Sequence, residues 1–470
     1  MKKTLLLIIS LLFGAIGISQ EHPQSFTLQE AIDYAIENNR QAKNAARDIE
    51  AAKQQKWETT ATGLPQLNAN IAYQNNLKQQ VSLLPNEFFD PYSQIRNLDQ
   101  FYDELGAPEG IPPIEPGFSE VIFGTKQNVN ATATLSQLIF DGSYLVGLQS
   151  AKVFLEISKN AKEKTDLEVR KNVINAYGNV LLAEESVLIL EKNIEVLEKN
   201  LFETTKIYEN GLEEEESVEQ LQITLSNLKS NLNNAIRLRG IAYQMFNITL
   251  GIDYAAQLEL TENLEQLTQK NISLEALDLD NDVTTTVDYK IAENDTKSKE
   301  LLLKLEKSKA LPTLSAFLNG GYLGFSDEFT FFEKEQNWAG FSAFGFNLDI
   351  PIFSSGGRSA ATQRAKINFE KSKDQLTETE QQLKLQIDTA KSNYKFATED
   401  YENKKQNLAL AERIERKNQT KFFEGIGSSF ELRQAQTQLY SAQQELLQAM
   451  LDVINAKAEL ETITNTTTNF

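Results

Sequence analysis

The sequence predicts a mainly helical protein with a small β part, built from two copies of one unit. Long stretches carry the alternating three- and four-residue spacing of apolar side chains that is typical of coiled-coil helices. Four shorter stretches alternate apolar and polar residues, as strands with one apolar face do. Similar glycine-broken turns recur at "IYENGLEEEES" (207–217) and "FFEGIGSSFEL" (422–432). A repeated turn between long helices indicates a duplication.

The N-terminal sequence "MKKTLLLIISLLFGAIGISQ" predicts a secretory signal peptide over residues 1–19, cleaved after Ser19. Its apolar run from Leu5 to Ile16 is shorter than the ~20 residues that a membrane-spanning helix needs. The chain contains no cysteine, which excludes a lipid-anchored form, disulfides and thiolate metal sites. The mature protein is therefore expected to be exported without a lipid anchor.

The first repeat is expected to begin with a helix that runs from a capping box at Thr27 and Glu30 to about Thr62. Alternating strands are predicted at 63–74 and 128–140. The loop between them, 75–127, is expected to be long and poor in regular structure, because it contains six of the ten prolines. These prolines are Pro85, Pro91, Pro108, Pro112, Pro113 and Pro116.

A long helix is predicted from Tyr144 to a reversal, or tip, at Gly211, and it would span roughly 100 Å. The helix that returns to about Leu250 is shorter, and the helix ending near Ala310 is expected to complete its length. The same order then recurs, with strands after Leu311 and a second tip at Gly425. The predicted organisation is a first repeat over 20–250, an irregular connector over 251–287, a second repeat over 288–463 and a tail over 464–470.

The predicted strands require partners from other chains. Four strands cannot close a barrel, and an unpaired strand edge in lipid costs several kcal/mol per backbone group. Bacterial barrels start at about 8 strands, so two chains would suffice, but a wide helical stalk favours three chains and 12 strands. Aromatic residues suited to a membrane interface lie near the strand ends: Tyr73, Tyr322, Trp338 and Phe346. The alternative is a soluble sheet packed on the helices.

Several motifs together resemble the TolC family of outer-membrane efflux proteins. They are "FTLQEAIDYAIENN" near the mature start, "LPQL" and "LPTL" before strands, "PIFSSGGR" after a strand, and the two tips. The resemblance covers about residues 26–463. It implies a homotrimer with a 12-stranded barrel in the outer membrane of a Gram-negative bacterium and a helical tunnel through the periplasm. Such a protein is the passive exit duct of an efflux or type I secretion system. Its implied partners are a periplasmic adaptor and an inner-membrane pump.

The resemblance also implies functional residues at the tips. Those that would dock the adaptor are Tyr208, Gly211, Leu212, Phe422, Gly425 and Ile426. The positions that correspond to the periplasmic gate are Glu431 and Gln434, with Ser217 as a further candidate at the first tip. The best-known members carry two acidic residues at the gate, whereas here Gln434 is not acidic.

The first tip carries four consecutive acidic residues, Glu213, Glu214, Glu215 and Glu216. In a trimer these twelve carboxylates would form a cation-attracting entrance. The alternative interpretation is a solvated helix face, which is the more common role of such a charge run.

Composition excludes several other functions. The net charge of −20 disfavours nucleic acid as a partner. His22 is the only histidine, so neither a histidine-based triad nor a multi-histidine metal site can form. We therefore predict no enzyme activity, no cofactor and no metal. The remaining alternative of another class is an exported coiled-coil scaffold or surface fibre that forms no channel.

Overall fold

The computed structural model describes residues 25–93, 114–273 and 282–466. The predicted signal peptide and His22 lie outside these residues. The chain divides into two compact units. Among the described residues, the helical unit comprises 25–56, 149–273, 282–303 and 362–466, and the strand unit comprises 57–93, 114–148 and 304–361.

Eight α-helices and eight β-strands form in the described residues. The helices are α1 (Leu28–Asn38), α2 (Arg40–Ala61), α3 (Gly142–Glu209), α4 (Glu215–Leu250), α5 (Leu264–Asn271), α6 (Val287–Ser308), α7 (Gly357–Phe423) and α8 (Ser429–Thr464). The strands are β1 (Ser25–Phe26), β2 (Gln66–Asn75), β3 (Val81–Pro85), β4 (Phe118–Ile122), β5 (Gln127–Phe140), β6 (Glu259–Leu260), β7 (Thr313–Ser326) and β8 (Trp338–Asp349).

Helix α1 begins with the capping box that the sequence predicted. The Glu30 backbone N–H donates to Thr27 Oγ1 at 3.2 Å, and the Thr27 N–H donates to Glu30 Oε2 at 2.9 Å. The single helix expected up to Thr62 is instead interrupted at Asn39, whose ψ of 138° is not helical. Asn39 Oδ1 accepts from the Gln41 N–H at 2.7 Å, so the interruption is itself the N-terminal cap of α2.

The end of α4 meets a different segment from the one expected. The Asn39 side-chain amide donates to the Thr249 carbonyl at 2.8 Å, which satisfies a carbonyl at the C-terminus of α4. Gly251 ends this helix with a φ of +85°, and a Cβ at that position would lie 2.5 Å from the Asn38 carbonyl oxygen. The expectation that the helix ending near Ala310 adjoins α4 is therefore wrong, because the junction between α1 and α2 occupies that place.

The helical unit is held by an apolar core along the long helices. Tyr177 of α3 and Phe246 of α4 are fully buried and pack edge to face with ring centroids 5.7 Å apart. Towards the turn that joins these helices, Ile194 and Leu197 pack with Leu221 along the predicted heptad seam. Part of α3 is long and apolar enough to cross a membrane by length and composition, and 39% of that stretch is buried inside the protein.

The predicted connector contains regular structure where it is described. Strand β6 pairs in parallel with β1, which joins the start of the fold to residues 259–260. Helix α5 follows and buries Leu264 and Leu267 in the core. Thr268 of α5 also lies 3.5 Å from the Met450 carbonyl of α8. Residues 274–281 of the connector lie outside the described part of the chain.

The strand unit is built around one four-stranded antiparallel sheet in the order β2-β5-β7-β8. Strands β5 and β7 pair on both sides, and β2 and β8 are the two edges. The strands approach closely at Gly321, where a Cβ would lie 2.1 Å from the Ala131 carbonyl oxygen.

The two faces of this sheet differ in chemistry. One row across the four strands is Leu67, Leu135, Leu318 and Phe344, and the adjacent row is Asn68, Thr134, Asn319 and Ala343. All four members of the apolar row are exposed. An exposed apolar face opposite a more polar one fits a barrel wall between lipid and a wet lumen.

A second, smaller sheet lies in the proline-rich stretch that was expected to be poor in regular structure. Strands β3 and β4 pair antiparallel, with Val81 opposite Ile122 and Pro85 opposite Phe118. That expectation is wrong for the described part of 75–127. Pro85 is the terminal residue of β3, where a missing N–H is tolerated, so the prolines did not prevent pairing.

Candidate functional site

The first tip, defined as residues 210–214, joins α3 to α4 by a Schellman turn. The Leu212 N–H donates to the Ile207 carbonyl at 3.1 Å, and the Gly211 N–H donates to the Tyr208 carbonyl at 2.8 Å. Gly211 has a φ of +76°, the left-handed conformation that this turn requires and that glycine adopts without strain. Backbone bonding and this glycine therefore end α3 and reverse the chain.

The second tip, defined as residues 424–428, repeats the same hydrogen bonds between α7 and α8. The Ile426 N–H donates to the Lys421 carbonyl at 3.0 Å, and the Gly425 N–H donates to the Phe422 carbonyl at 3.0 Å. Gly425 has a φ of +75°. The two tips are therefore the same turn, and each glycine stands at the position where a left-handed residue is needed.

The helices that follow the tips begin differently. The Glu431 N–H donates to Ser428 Oγ at 3.2 Å, and the Ser428 N–H donates to Glu431 Oε2 at 3.4 Å, which forms a capping box at the start of α8. Glu214 occupies the same position before α4, but its side chain makes no capping hydrogen bond. Residues 428–431, "SSFE", carry the Ser-x-x-Glu signature of this box, and sequence analysis missed it.

The predicted docking residues differ in exposure. Leu212 is 78% exposed and Ile426 is 73% exposed at equivalent positions of the two tips. Tyr208 is also exposed, whereas Phe422 is only 5% exposed and packs edge to face on Phe423. Phe422 thus supports the second tip from inside, and the apolar surface of the tips comes from the other three residues, Tyr208, Leu212 and Ile426.

A further aromatic residue adds to this surface and was missed from the sequence. Phe430 lies in the first turn of α8 and is exposed. The Arg433 guanidinium carbon lies 5.5 Å from the centroid of its ring, within cation–π distance. An aromatic residue shortly after the tip glycine was the sequence feature that could have identified Phe430.

Ser217 lies in the first turn of α4, and Glu431 and Gln434 lie in the first two turns of α8. Glu431 and Gln434 are exposed, and Glu431 also closes the capping box. Ser217 is buried, and its Oγ lies 2.8 Å from Ser429 Oγ of α8. Ser217 therefore belongs to a contact between the two helical hairpins, which sequence analysis did not identify.

Of the four acidic residues at the end of the first tip and the start of α4, Glu213 and Glu216 make local hydrogen bonds. Ser217 Oγ donates to Glu213 Oε1 at 2.7 Å, and Gln220 Nε2 donates to Glu216 Oε1 at 2.6 Å. Glu215 and Glu216 lie in the first turn of α4, where the helix dipole stabilises negative charge. Glu214, Glu215 and Glu216 remain exposed. The run therefore both starts the helix and leaves a dense negative surface at the tip.

Polar side chains join the two hairpins above the tips. Asn193 Nδ2 of α3 donates to Gln443 Oε1 of α8 at 2.8 Å, and Gln419 Nε2 of α7 donates to Asn200 Oδ1 of α3 at 3.2 Å. Tyr440 of α8 packs on the apolar seam between α3 and α4, and burial raises its pKa to about 12. Helix α3 is thus in contact with both helices of the second hairpin.

Farther from the tips, three charged side chains are buried together. Glu461 of α8 accepts from Arg170 of α3 at 3.1 Å, and its other oxygen lies 3.8 Å from Lys457 Nζ. All three residues are less than a tenth exposed. Burial lowers the pKa of Lys457, and the charge of Arg170 lowers it further, while Glu461 opposes the shift.

The described residues contain no group of three histidine, cysteine, aspartate or glutamate side chains that could hold a metal ion. The chemistry of the tips is instead that of a surface, with two apolar projections, an aromatic residue beside an arginine, and a run of carboxylates. Such a surface is suited to protein contact and to electrostatic selection of ions.

Comparison with known proteins gives one family. The model of the outer membrane efflux protein family matches residues 293–466. No curated protein sequence matches the chain.

Solved structures share the fold at low sequence identity. A structure of CusC matches with a TM-score of 0.71 at 17% sequence identity. The alignment covers 93% of this chain and 91% of the CusC chain. The outer membrane channel CmeC of Campylobacter jejuni matches with a TM-score of 0.68 at 17% identity, and the alignment covers 96% of this chain and 91% of the CmeC chain. The open MtrE outer membrane channel of Neisseria gonorrhoeae matches with a TM-score of 0.68 at 18% identity, and the alignment covers 94% of this chain and 91% of the MtrE chain.

These matches confirm the predicted resemblance and the predicted fold class, in which long helices dominate and strands form the smaller part. The matched family model is that of outer membrane efflux proteins, and the CmeC and MtrE structures are outer membrane channels; the predicted location and the predicted lack of enzyme activity agree with these matches.

Proposed function

We propose that three copies of this outer membrane efflux protein form the passive exit duct of an export system that spans the periplasm. An inner-membrane pump supplies the substrate, and a periplasmic adaptor connects the pump to the tips. The observation that carries this proposal is the four-stranded sheet, whose edges β2 and β8 are not paired with one another and whose apolar row is exposed.

The sheet supports a trimer on physical grounds. A lipid-facing sheet must satisfy its edge groups, so β2 of one chain has to pair with β8 of the next. Identical chains joined head to tail in this way form a closed ring when the rotation closes. Four strands per chain give 12 strands for three chains, and the internal duplication makes the helical wall nearly six-fold symmetric.

The tips support the position of the adaptor and the entrance. Leu212 and Ile426 are exposed apolar side chains on turns fixed by the same backbone bonds, so a trimer would present six similar projections. Exposed apolar groups with a polar rim are typical of protein contact sites. The exposed carboxylates of Glu214, Glu215 and Glu216 follow Leu212 closely in sequence and would attract cations.

The mass of the mature protein extracted from membranes in detergent tests this proposal. A mass three times that of the monomer is expected. A monomer released without detergent would overturn the proposal in favour of an exported helical scaffold. As a control, Ile71→Pro in the middle of β2 should lose the trimer, because proline cannot donate a backbone hydrogen bond within a sheet.

A further inference from the structure

Helices α4 and α7 stand at the two ends of the order in which the long helices contact one another. Above the tips, α3 packs on α4 along the heptad seam, and it is hydrogen-bonded to α8 through Asn193 and Gln443. Helix α8 in turn pairs with α7, where Lys404 Nζ lies 2.9 Å from Glu445 Oε2. The order is therefore α4, α3, α8, α7.

The sides of α4 and α7 that point away from their buried seams carry charged residues at equivalent positions. Residues two positions apart lie about 200° apart around a helix. Arg237 comes two residues after the buried Ala235 of α4, and Glu399 comes two residues after the buried Ala397 of α7. Both charged residues are exposed. Each therefore lies on the outer face of its helix, defined here as the side opposite the buried seam.

Arg237 and Glu399 also lie at the same height, which is counted here in residues from the glycine of the tip that adjoins each helix. Each is 26 residues from that glycine. Asn193 and Gln443 are each 18 residues from theirs, and their side chains are hydrogen-bonded, so equal counts correspond to equal heights. Helix α4 leads away from its tip and α7 leads towards its own. Placed side by side, the two helices would be antiparallel, with Arg237 level with Glu399.

The charges around these two residues are complementary. Between residues 220 and 250, α4 carries three basic residues and no acidic residue, although the net charge of the whole chain is −20. Close to the height of Arg237, α7 carries Glu399, Asp400 and Glu402, with Lys395 one turn farther from the tips. A basic stretch of α4 thus corresponds in height to a mainly acidic stretch of α7.

Nearer the tips the signs are reversed. Helix α4 begins with Glu215 and Glu216 and carries Glu219 one turn later. At similar heights, residues 413–421 of α7 contain one acidic residue, the half-buried Glu415, and four basic residues. The basic residues are Arg413, Arg416, Lys417 and Lys421. The sign of the charge therefore changes along both helices, in the way that an antiparallel pair with equal heights requires.

An apolar pair lies one turn farther from the tips. Ile241 follows Arg237 by four residues, and Phe396 precedes Glu399 by three. These steps turn each side chain by about 40° and 60° in the same sense, so in an antiparallel pair both point to the same side. Ile241 is 39% exposed and Phe396 is 69% exposed. The register that matches the charges thus also brings two exposed apolar side chains together.

We propose that α4 of one chain packs antiparallel on α7 of a neighbouring copy, with Arg237 beside the neighbour's Glu399 and Ile241 beside its Phe396. This inference rests on the proposed trimer, in which the end of one chain's helix order must meet the opposite end of the next. Within one chain, Arg237 donates to Asn234 at 2.7 Å, and Glu399 lies 3.9 Å from Lys395. Such exposed contacts contribute little to stability and can be exchanged for a contact between chains.

The ion pair also fixes the register. Lys404 and Lys405 of α7 lie 21 and 20 residues from the glycine of the second tip. A slide of one to two turns would therefore bring Arg237 of the neighbouring α4 against these lysines. Repulsion between like charges disfavours that alternative.

Two further pairs of exposed residues on the outer faces allow a test by cysteine cross-linking, since the natural chain has no cysteine. Ser230 and Gln406 are each 19 residues from the glycine of their tip, and Gln244 and Ser392 are each 33 residues from it. Two differently tagged chains are co-expressed with one cysteine each, and membranes are treated with a short bismaleimide. Ser230→Cys with Gln406→Cys should give a covalent product carrying both tags, as should Gln244→Cys with Ser392→Cys.

The crossed combination is the matched control. Ser392 lies on the same face of α7 as Gln406 but 14 residues, or about 21 Å, away from it. Ser230→Cys with Ser392→Cys should therefore give little product, because a short bismaleimide cannot span that distance.

Charge exchange tests the ion pair itself. Adding Arg237→Glu to the Ser230→Cys chain should lower the yield of its product with Gln406→Cys about two- to fivefold, the range expected for an exposed pair. Adding Glu399→Arg to the Gln406→Cys chain should restore the yield. A yield that responds to neither change would contradict the pairing of Arg237 with Glu399.

Three outcomes overturn the proposed contact while leaving the trimer intact. The first is a trimeric mass in detergent without a doubly tagged product from either matched pair. The second is equal product from the matched and crossed pairs, which would exclude the proposed register. The third is a Ser230→Cys product joined to a different protein, which would assign the outer face of α4 to the adaptor. A monomeric mass in detergent would instead overturn the proposed function, and this contact with it.

Discussion

Ser217 Oγ lies 2.8 Å from Ser429 Oγ, and this contact joins the first turns of two helices although the serines are 212 residues apart in sequence. Ser217 is buried and also donates to Glu213 at the first tip. Because Ser429 follows the capping residue of α8 directly, the contact ties the base of one tip to the base of the other. In the proposed duct it holds the two tips of a chain together at the entrance.

Removing this contact should loosen the entrance. A neutral hydrogen bond contributes about 0.5–1.5 kcal/mol to stability. Ser429→Ala should therefore raise the fraction of chains in which the two tips are separated about two- to tenfold. We expect higher or more frequent conductance in planar bilayers. Ser441→Ala removes only a bond to Glu445 within the same helix and serves as the control. Equal conductance of the Ser429 variant and the control would show that the contact does not restrain the entrance.

The glycine of the second tip should tolerate only residues that adopt a left-handed backbone. A Cβ added at Gly425 would meet open space, so the cost of Gly425→Val is backbone strain of about 1–2 kcal/mol, not a clash. We expect export to be lost while the trimer still assembles, because the strain is confined to the turn. Gly425→Asn is the control and should retain export, since asparagine tolerates this conformation. Unchanged export in the Gly425→Val variant would show that the second tip is not part of the docking surface.

Two substitutions separate the charge of Glu431 from its capping role. Glu431→Gln keeps a side chain that can accept the Ser428 N–H and removes only the charge. Glu431→Ala removes both. If the three Glu431 carboxylates of the trimer surround the pore axis, both variants should raise the conductance or reduce the cation preference in single-channel records. An effect of the alanine variant alone would assign Glu431 to the helix cap, and no effect of either would exclude it from the pore.

The buried carboxylate of Glu461 should be important for stability. Glu461→Gln leaves Arg170 and Lys457 facing a neutral group in a buried site, and loss of one partner of a buried ion pair costs about 3–5 kcal/mol. A clear fall in the melting temperature of the helices, followed by circular dichroism, is expected. Glu459→Gln on the same helix breaks only the more exposed pair with Lys171 and should change stability by less than about 1 kcal/mol.

Lys457 should make stability depend on alkaline pH. Its pKa in the folded protein is lowered, so the unfolded chain binds this proton more strongly than the folded one. The protonated lysine therefore costs stability at neutral pH, and the cost is relieved as the pH rises through the folded pKa towards the unfolded value. Lys457→Met should raise the melting temperature at pH 7, with a smaller difference at pH 10. A difference that stays constant with pH would contradict this role.

Some of the fold followed from the sequence because the responsible forces are local. The helical heptads around Leu197 and Leu221, and the alternation of apolar and polar residues in β2, each repeat over a few residues. The capping box at Thr27 depends on side chains three positions apart. The β3–β4 sheet was missed because its prolines suggested a loop, although pairing with residues more than thirty positions away overrode that local preference.

The sequence by itself determined a mainly helical chain with the four strands of the larger sheet and a glycine at each tip, where a left-handed residue is needed. These properties depend on spacing and backbone conformation within a short stretch. Only the tertiary structure decided that Asn39 meets Thr249, that Ser217 meets Ser429, and that Phe422 is buried while Ile426 is exposed. Such contacts depend on how distant helices pack, and packing is set by the whole core, not by the residues that finally touch.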